Sequence, residues 1–268
     1  MGVRTIFLII SDTHADGLTG VLPRLPVNIA IHCGDLTEES KIRELQATVD
    51  LLKSIDAPLK LVIPGNHDFT LNVPVFKSIL AEVRPLHEPE LVKREYGDFG
   101  DARELFERAA SDGIRLLDEG THHFALHNGA QLKVYASPYT ASRAGDRNAK
   151  EKPQACGYPG LFEAVARSRP RMHCFGHIHE AWGAKLVVWG NTAGERPSHL
   201  TAIDDDKSTS IETLAGLRHP EWDTAETAKR RARCNTLFIN AGIQNLEVDG
   251  EPQLPRVVDI DLPILVRK

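Results

Sequence analysis

Two histidines separated by one residue lie in the stretch GHIHE, at positions 176–180, directly after the apolar run MHCF. Polar residues of metal-binding type follow three other apolar runs in the same way. The candidates are Asp12 and His14 in SDTH, Asp35 in CGDL, Asn66, His67 and Asp68 in GNHD, and His177 and His179 in GHIH. Carboxylate, imidazole and amide groups together favour divalent ions such as Mn, Fe, Zn or Mg over a thiolate site. The residue types therefore predict a divalent-metal centre.

The apolar runs before these motifs are typical of buried β-strands. RTIFLIIS, VNIAIHCG and LKLVIPG each end directly before a motif, and residues 38–54 between the second and third predict an amphipathic helix. Strand, helix and strand predict a parallel sheet, and ligands gather where the carboxyl ends of such strands meet. Residues i and i+2 of an extended stretch point the same way. Asp12 and His14 of DTH can therefore reach one site, and so can His177 and His179 of GHIH.

The remainder of the chain predicts further helices and then mostly strands. Pro74 opens a second helix, and residues 102–113 form another that is closed by Gly113. THHFALHN and QLKVYAS flank Asn128 and Gly129, which is a strong hairpin signal. LFEAVARSR predicts a helix, whereas RMHCF, AKLVVWG, NTLFINAG and RVVDIDL predict strands. Two sheets packed face to face with helices outside would accommodate this α/β pattern.

The length and composition predict one domain over residues 1–268. Within it, residues 191–234 are polar, lack periodicity and end in KRRAR, which predicts an exposed and partly disordered insertion. A solvated loop is the favoured interpretation there, with a nuclear signal or a docking loop as the alternatives.

Charge and cysteine usage narrow the class of protein. The net charge of −5 argues against a dedicated nucleic-acid binder, which needs a basic surface. The four cysteines are Cys33, Cys156, Cys174 and Cys234, with no CxxC, which favours reduced thiols in a cytoplasmic protein, the nucleus being the alternative. The run TIFLII is too short for a membrane span, so no membrane partner is expected.

The motifs are specific when they are taken together. A single DxH, or a single GD after a strand, occurs often by chance, whereas GNH and GHxH after strands are more specific. The series DTH, GD, GNHD and GHIH, each at a predicted strand end, resembles the calcineurin-like metallophosphoesterases over residues 4 to about 260. KVYASPYTA, RMHCFGHIHEAWGA and TLFINAGIQNL resemble the later segments of that family's small metallophosphoesterase-domain proteins. The resemblance implies a two-sheet αββα sandwich.

The resemblance also implies two divalent ions and a role for each candidate. One ion would be held by Asp12, His14, Asp35 and His179, and the other by Asp35 as a bridge together with Asn66 and His177. A metal-bound hydroxide would attack phosphorus in line, as in two-metal sites generally. His67 would protonate the leaving oxygen or stabilise developing charge. Asp68 would orient His67, with an ordinary turn carboxylate as an equal alternative.

One expected segment is missing from the pattern. The family places a further histidine for the second ion in a THGPP-like segment, whereas residues 137–157 here read SPYTASRAGDRNAKEKPQACG. The second site is therefore predicted to be weak or empty, and one core strand could be absent. Other histidines could substitute, although each is a weak candidate: His122, His123, His127 and His173. His32 is predicted to pack in its strand or to form a hydrogen bond, and His87, His199 and His219 are predicted to lie on the surface.

The substrates implied by the resemblance are small phosphate esters, with cyclic nucleotides favoured, hydrolysed by a phosphodiesterase or phosphatase. A nuclease ranks second because no basic run flanks the motifs, and a protein phosphatase ranks lower because GDLTEE lacks an arginine after GD. The alternative function is a catalytically weak or inactive protein that binds metal or nucleotide and acts through partners. The sequence leaves the oligomeric state open.

Overall fold

A computed structural model of the chain describes residues 2–18, 22, 25–82, 88–138, 159–190, 196–211, 235–244 and 253–264. Several residues named above lie outside this part of the chain, namely His87, Cys156, His219 and Cys234. The predicted KRRAR stretch and the segment that differs from the family pattern, apart from its first two residues, also lie outside it.

The first sheet carries three of the four motifs. Its strands are β1 (Gly2–Ile10), β2 (Ile29–His32), β3 (Leu59–Val62), β4 (Ile114–Leu116) and β11 (Arg256–Pro263), in the order β11-β1-β2-β3-β4. The strands β1 to β4 are parallel, and β11 pairs antiparallel with β1. The predicted parallel sheet is confirmed, and the three motifs follow neighbouring strands at one end of it.

Four helices lie between β2 and β4 in the chain, and the first and last of them pack on the outer face of this sheet. They are α1 (Ile42–Ser54), α2 (Val73–Glu82), α3 (Pro89–Tyr96) and α4 (Asp101–Arg108). The buried side of α1 is formed by Leu45, Val49 and Leu52, which pack against β1 and β2. The helix predicted over residues 102–113 continues as a 3₁₀ turn at Ala109–Asp112 and closes at Gly113, whose φ is 80°. Only α3 was not predicted, since its eight residues include none that is buried.

The second sheet carries the GHIH motif. It contains β7 (Met172–Phe175), β8 (Gly183–Val188), β9 (Thr209–Ile211) and β10 (Asn235–Asn240), in the order β7-β10-β8-β9. The strands β5 (Gly120–Ala125) and β6 (Gln131–Ala136) form the predicted hairpin as a separate two-stranded sheet. Helices α5 (Pro159–Ser168) and α6 (His199–Ala202) cover the outer side of the second sheet.

The apolar core lies between the two sheets. Phe7, Ile9, Leu61, Leu237 and Ile239 belong to one buried cluster that includes residues of β1, β3 and β10. The helices on both outer faces complete the αββα sandwich that the sequence predicts. None of the helices in the described part of the chain is long and apolar enough to span a membrane.

Part of the segment at 191–234 contributes to the second sheet. Residues 209–211 form β9, which pairs antiparallel with β8, and Ile203 bridges to Trp189. Ala202 is buried, whereas Leu200 is 80% exposed. The described residues 196–211 are therefore partly integrated into the domain, because β8 offers them an open edge.

Candidate metal centre

The turns after β1 and β2 are joined by backbone hydrogen bonds. The amide of Asp12 donates to the carbonyl of Gly34 at 3.0 Å, and the amide of His14 donates to the carbonyl of Asp35 at 3.2 Å. The hydroxyl of Ser11 also donates to Gly34 at 3.2 Å. The DTH and GD motifs are therefore held as one unit at the carboxyl end of the parallel sheet.

Four of the candidate residues have left-handed backbone conformations. The φ angles are 57° at Asp12, 48° at His14, 51° at Asp35 and 69° at His177. A residue with a side chain pays roughly 1–2 kcal/mol to adopt this conformation, and such residues cluster at functional sites. The folded chain therefore holds these four candidate residues in conformations that are unfavourable for the isolated residue.

Two glycines allow the turns to approach closely. A Cβ at Gly65 would lie 2.2 Å from the amide nitrogen of Asp35, and one at Gly176 would lie 2.3 Å from Oδ2 of Asp12. Both distances are far shorter than van der Waals contact. The glycines of GNHD and GHIH are therefore required by the approach of their turns to the two carboxylates.

Asp12, His14 and His179 form one group whose potential ligand atoms all lie within 4.8 Å of one another. Nε2 of His179 lies 3.0 Å from Oδ1 of Asp12, and the backbone amide of His177 donates to both oxygens of that carboxylate at 3.0 Å. The ring centroids of His14 and His179 are 5.9 Å apart. The β1 and β7 ends thus deliver a carboxylate and two imidazoles to one point.

His14 shows that this group suits a cation. Its side chain is buried, and neither ring nitrogen makes a hydrogen bond within the described chain. Oε2 of Glu38 lies 2.8 Å from Nδ1 of His14, but outside hydrogen-bond geometry. A buried polar group without a partner is costly, and a metal ion would satisfy it. One carboxylate and two imidazoles are also donors that Zn, Mn and Fe accept.

Asp35 faces His177 and the turn of β3. Its Oδ2 lies 3.7 Å from Nδ1 of His177, and its Oδ1 accepts the backbone amide of His67 at 3.0 Å. Burial acts to raise the pKa of Asp35, but the interactions with His177 and His67 outweigh it and lower the pKa to about 2. The same pairing raises the pKa of His177. Asp35 is therefore an anion held beside His177 without an ion bound.

The residues predicted for the second ion are less closely assembled. Asn66 follows Gly65 in the turn beside Asp35, and its side chain is exposed. The side chain of His177 is 39% exposed. Within the described residues, the groups of three or more titratable potential ligands contain neither Asp35 nor His177. The Asp35 bridge between two ions stays a prediction.

His67 is fixed beside the first group. Its ring centroid lies 4.8 Å from that of His14 at an angle of 85°. Nδ1 lies 2.7 Å from the carbonyl oxygen of Glu38. Because a carbonyl can only accept, Nδ1 carries the proton in this contact. Nε2 is then the nitrogen with which His67 can exchange a proton.

The carboxylate of Asp68 is buried and contacts the turns around the site, not the ring of His67. Its Oδ1 accepts from the amide of Thr37 at 2.9 Å and from the hydroxyl of Thr37 at 2.7 Å. Its Oδ2 accepts from the amides of Leu36 at 3.0 Å and Gly65 at 2.7 Å. Burial raises the pKa of Asp68. These contacts fit the turn-carboxylate alternative, because Asp68 joins the turns that carry Asp35 and His67.

Glu38 is a candidate that the sequence reasoning did not identify. Together with His14 and His67 it forms a second group whose potential ligand atoms lie within 4.8 Å of one another. The sequence interpretation assigned Glu38 to the acidic start of the following helix, but α1 begins at Ile42. Its position three residues after Asp35 in GDLTEE was the available signal.

The histidines considered as substitutes are not in either group. His173 packs on the rings of Phe175 and Phe238, and Nε2 of His122 contacts the backbone of Asp118. His32 is fully buried, and its Nε2 lies 2.9 Å from the hydroxyl of Thr13. Burial lowers the pKa of His32 to about 4. The predicted packing role of His32 is confirmed.

Comparisons with known proteins identify relatives of this chain. The calcineurin-like phosphoesterase family model matches residues 6–181, a range that contains every candidate ligand. A UPF0046 protein of Caenorhabditis elegans is 26% identical over 227 residues, covering 76% of this chain and 77% of the relative. Metallophosphoesterase domain-containing protein 1 of Homo sapiens is 24% identical over 215 residues, covering 67% of this chain and 62% of the relative.

A third relative shares only a small part of its length. It is described as a probable rhamnogalacturonate lyase C of Emericella nidulans, and it is 30% identical over 210 residues, which cover 67% of this chain but 18% of the relative. The family model, by contrast, covers well over half of this chain and includes all four motifs. The chain therefore belongs to the calcineurin-like phosphoesterase family.

Proposed function

We propose that the protein is a divalent-metal-dependent phosphoesterase that hydrolyses small phosphate esters, with cyclic nucleotides as the first substrates to test. The observation that carries the proposal is the buried His14, whose ring nitrogens make no hydrogen bond within the described chain and lie beside Asp12 and His179. Family membership adds the reaction class, since the matched model is that of a phosphoesterase. The net charge of −5 favours a small ester over a nucleic acid.

In this proposal Asp12, His14, Asp35 and His179 hold the first ion. Asp35 also faces the second position, where Asn66 and His177 are the further donors. A bound divalent ion supplies Lewis-acid polarisation of the phosphate and lowers the pKa of water, which is the usual chemistry of such sites. The anionic state of Asp35 without an ion prepares it for a cation, because no proton must leave first.

His67 is the proposed general acid. Its Nδ1–H is fixed on the carbonyl of Glu38, which sets the ring orientation and leaves Nε2 for the leaving oxygen. When the ring is protonated, the same contact is kept and Nε2 also carries a proton. Asp68 acts in this proposal as a positioning residue, because it holds the GNHD turn against the turn after β2.

Turnover of bis-p-nitrophenyl phosphate with added Mn²⁺ tests the proposal. The wild-type protein should be stimulated by Mn²⁺, and His67→Ala should lower kcat by about 10²–10⁴-fold, the usual contribution of a general acid. His122→Ala is the matched control, because this half-buried histidine lies on the β5–β6 hairpin and belongs to neither group of potential ligands. Wild-type turnover equal to the metal-free background would show that the phosphoesterase proposal is wrong.

A catalytically weak metal-binding or nucleotide-binding protein is the second candidate. The exposure of Asn66 and the loose arrangement around His177 favour it, because a two-metal reaction needs both positions filled. Under this alternative, Mn²⁺ and a nucleotide would both bind, measured by calorimetry. His67→Ala would then change neither binding nor the background rate of hydrolysis.

A further inference from the structure

A cavity of about 340 Å³ lies beside the candidate metal centre, in the second sheet and the turn that follows GHIH. Its walls include the aromatic rings of Phe175, Trp182 and Phe238 and the charged residue Arg256. The volume falls in the range of small-ligand sites, which begins near about 300 Å³. Hydrophobic and aromatic walls with a few charged groups, here Lys185 and Arg256, are typical of small-ligand sites.

Arg256 is buried without a partner of opposite charge. It is 1% exposed, and Nε and NH1 have no hydrogen-bond partner within the described chain. Its guanidinium carbon lies 3.3 Å from the ring centroid of Trp182. Burial lowers the pKa of Arg256 to about 10, so the group stays charged at neutral pH. Cation–π contact with Trp182 offsets only part of the cost of burying a charge, whereas a bound anion would satisfy the free donors.

Nearby charged groups already have other partners. Arg4 forms the ion pair with Asp259 of β11, and Lys185, which also lines the cavity, pairs with Asp205 at 2.7 Å. In the described part of the chain, no carboxylate is within ion-pair distance of Arg256. The unmet requirement of Arg256 is therefore for an anion from outside the fold.

The cavity adjoins the metal-binding residues. Arg256 pairs with Ile9 at the end of β1, just before Asp12. Asn240 lines the cavity and donates to the carbonyl of Ile178 at 2.6 Å. A Cβ placed on Gly242 would lie 3.1 Å from Oδ2 of Asp12 and 3.5 Å from Oδ1 of Asn240. A Cβ at position 242 would therefore contact both Asn240 of the cavity wall and Asp12 of the first metal group, which shows that the two are neighbours.

We propose that this cavity is a subsite for a second anionic group of the ester, a carboxylate or a phosphate, with Arg256 as its counter-ion. The aromatic walls pack on the planar part of the ligand between its two anionic groups. The proposal rests on the proposed phosphoesterase function for the reaction at the metals. It narrows the substrate class to phosphate esters that carry a second anionic group besides the phosphate to be hydrolysed. It therefore ranks such esters above cyclic nucleotides, whose single phosphate would leave the subsite without an anion. Trp182 directly follows the turn that contains His179, so a ligand in the cavity also contacts the segment that positions a metal donor.

Two esters that differ only in the second charge test the subsite. The Mn²⁺-loaded protein should prefer 4-carboxyphenyl phosphate to phenyl phosphate by about tenfold in kcat/KM, mainly through a lower KM. Arg256→Gln should reduce this ratio to the ratio of the intrinsic reactivities, and Arg256→Lys should keep part of it. Arg115→Gln is the matched control, because Arg115 is an exposed arginine that contacts backbone carbonyls of Ala110 and Ile114. An unchanged ratio in Arg256→Gln would overturn the proposal.

Binding of two phosphonates separates the subsite from the reaction. Calorimetry should give a roughly tenfold lower Kd for 4-phosphonobenzoate than for phenylphosphonate with wild-type protein, even if no ester is hydrolysed. Equal Kd values for wild type would overturn the subsite whether or not Arg256→Gln folds. Absence of turnover together with this tenfold difference would instead contradict the phosphoesterase proposal alone. Benzoate bound as tightly as 4-phosphonobenzoate would identify a free-anion site and overturn the substrate assignment.

Discussion

At the scale of single residues, Asp12 is the most strongly held candidate ligand. Its carboxylate is fully enclosed, and it accepts the amide of His177 and contacts Nε2 of His179 at 3.0 Å. A carboxylate held by the segment that follows β7 cannot rotate freely when an ion is absent. The first metal group is therefore preorganised, which reduces the entropic cost of binding an ion.

His14 offers the sharpest test of that group. His14→Ala removes a buried imidazole with two unpartnered nitrogens, so Mn²⁺ affinity should fall by at least about tenfold, measured by titration calorimetry. Stability in the absence of metal should fall less than metal affinity, because His14 makes no hydrogen bond in the described chain and loses only its packing and its contact with Glu38. His122→Ala should bind Mn²⁺ as the wild type does. Equal Mn²⁺ affinity in His14→Ala would show that the ion binds elsewhere.

Because His32 is buried, we expect the free energy of unfolding to depend on pH. Its pKa is lowered by burial to about 4, below the usual value of 6.5, so the unfolded state binds more protons between these values. The free energy of unfolding should therefore fall as the pH falls from 7 to 4. At pH 5 the contribution from His32 is about 2 kcal/mol. Urea unfolding of EDTA-treated wild type and His32→Gln at pH 7 and pH 5 measures it, and an equal pH dependence in both would contradict the assignment.

At the scale of elements, the site depends on turns that lock together. The strands end at one edge, but the turns after β2 and β3 are joined through Asp68, and those after β1 and β2 through backbone hydrogen bonds. The parallel strands determine where the motifs meet, whereas the turn contacts determine the direction of each side chain. A change in a turn should therefore affect both stability and metal binding.

Asp68→Asn tests the role of the turns. Each oxygen of Asp68 accepts two hydrogen bonds, and three of the four donors are backbone amides. Either orientation of an amide therefore places its NH₂ group against at least one backbone N–H, which can only donate. The free energy of unfolding should fall by about 2–4 kcal/mol, measured by urea denaturation. Asp50→Asn is the control, because Asp50 is exposed on α1 and its side chain accepts a hydrogen bond from Gln46 of the same helix. Unchanged stability with lost turnover would instead favour a direct catalytic role.

At the scale of the whole molecule, two sheets share one site. The first sheet supplies Asp12, His14 and Asp35, and the second supplies His177 and His179, so the centre exists only when the sheets are packed. Within the described residues, β6 and β7 each lie at the edge of a separate sheet, and all four residues of β7 are only half-buried. His177, which is predicted to bind the second ion, follows this half-buried strand.

Metal analysis tests the consequence for the whole protein. The first group has three closely placed donors, whereas the second position has the half-exposed His177 and the exposed Asn66. Mass spectrometry of the dialysed, Mn²⁺-loaded protein should therefore give about one ion per chain at micromolar free metal. The expected difference in affinity follows from the number of donors and their exposure. A stoichiometry near two per chain would contradict the prediction of a weak second site.

The sequence by itself determined most of the strands and helices and the motifs at the strand ends. Local signals suffice for these, because apolar runs, helical periodicity and turn residues act over a few neighbouring positions. Gly113 and the Asn128–Gly129 hairpin are examples, and both are confirmed. The resemblance of the four motifs to a family also preceded any structure, and the family is confirmed.

Only the tertiary structure decided which candidates lie together and what each one contacts. Asp68 holds the turns, Glu38 approaches His14, and Arg256 is buried beside a cavity without a counter-ion. Residues 209–211 join the second sheet because β8 has an open edge. None of these contacts follows from local sequence, since each joins residues that the chain separates and that only packing brings within a few ångströms. The physical reason is that side-chain direction and burial are set by the whole fold, whereas residue type and spacing set only the available chemistry.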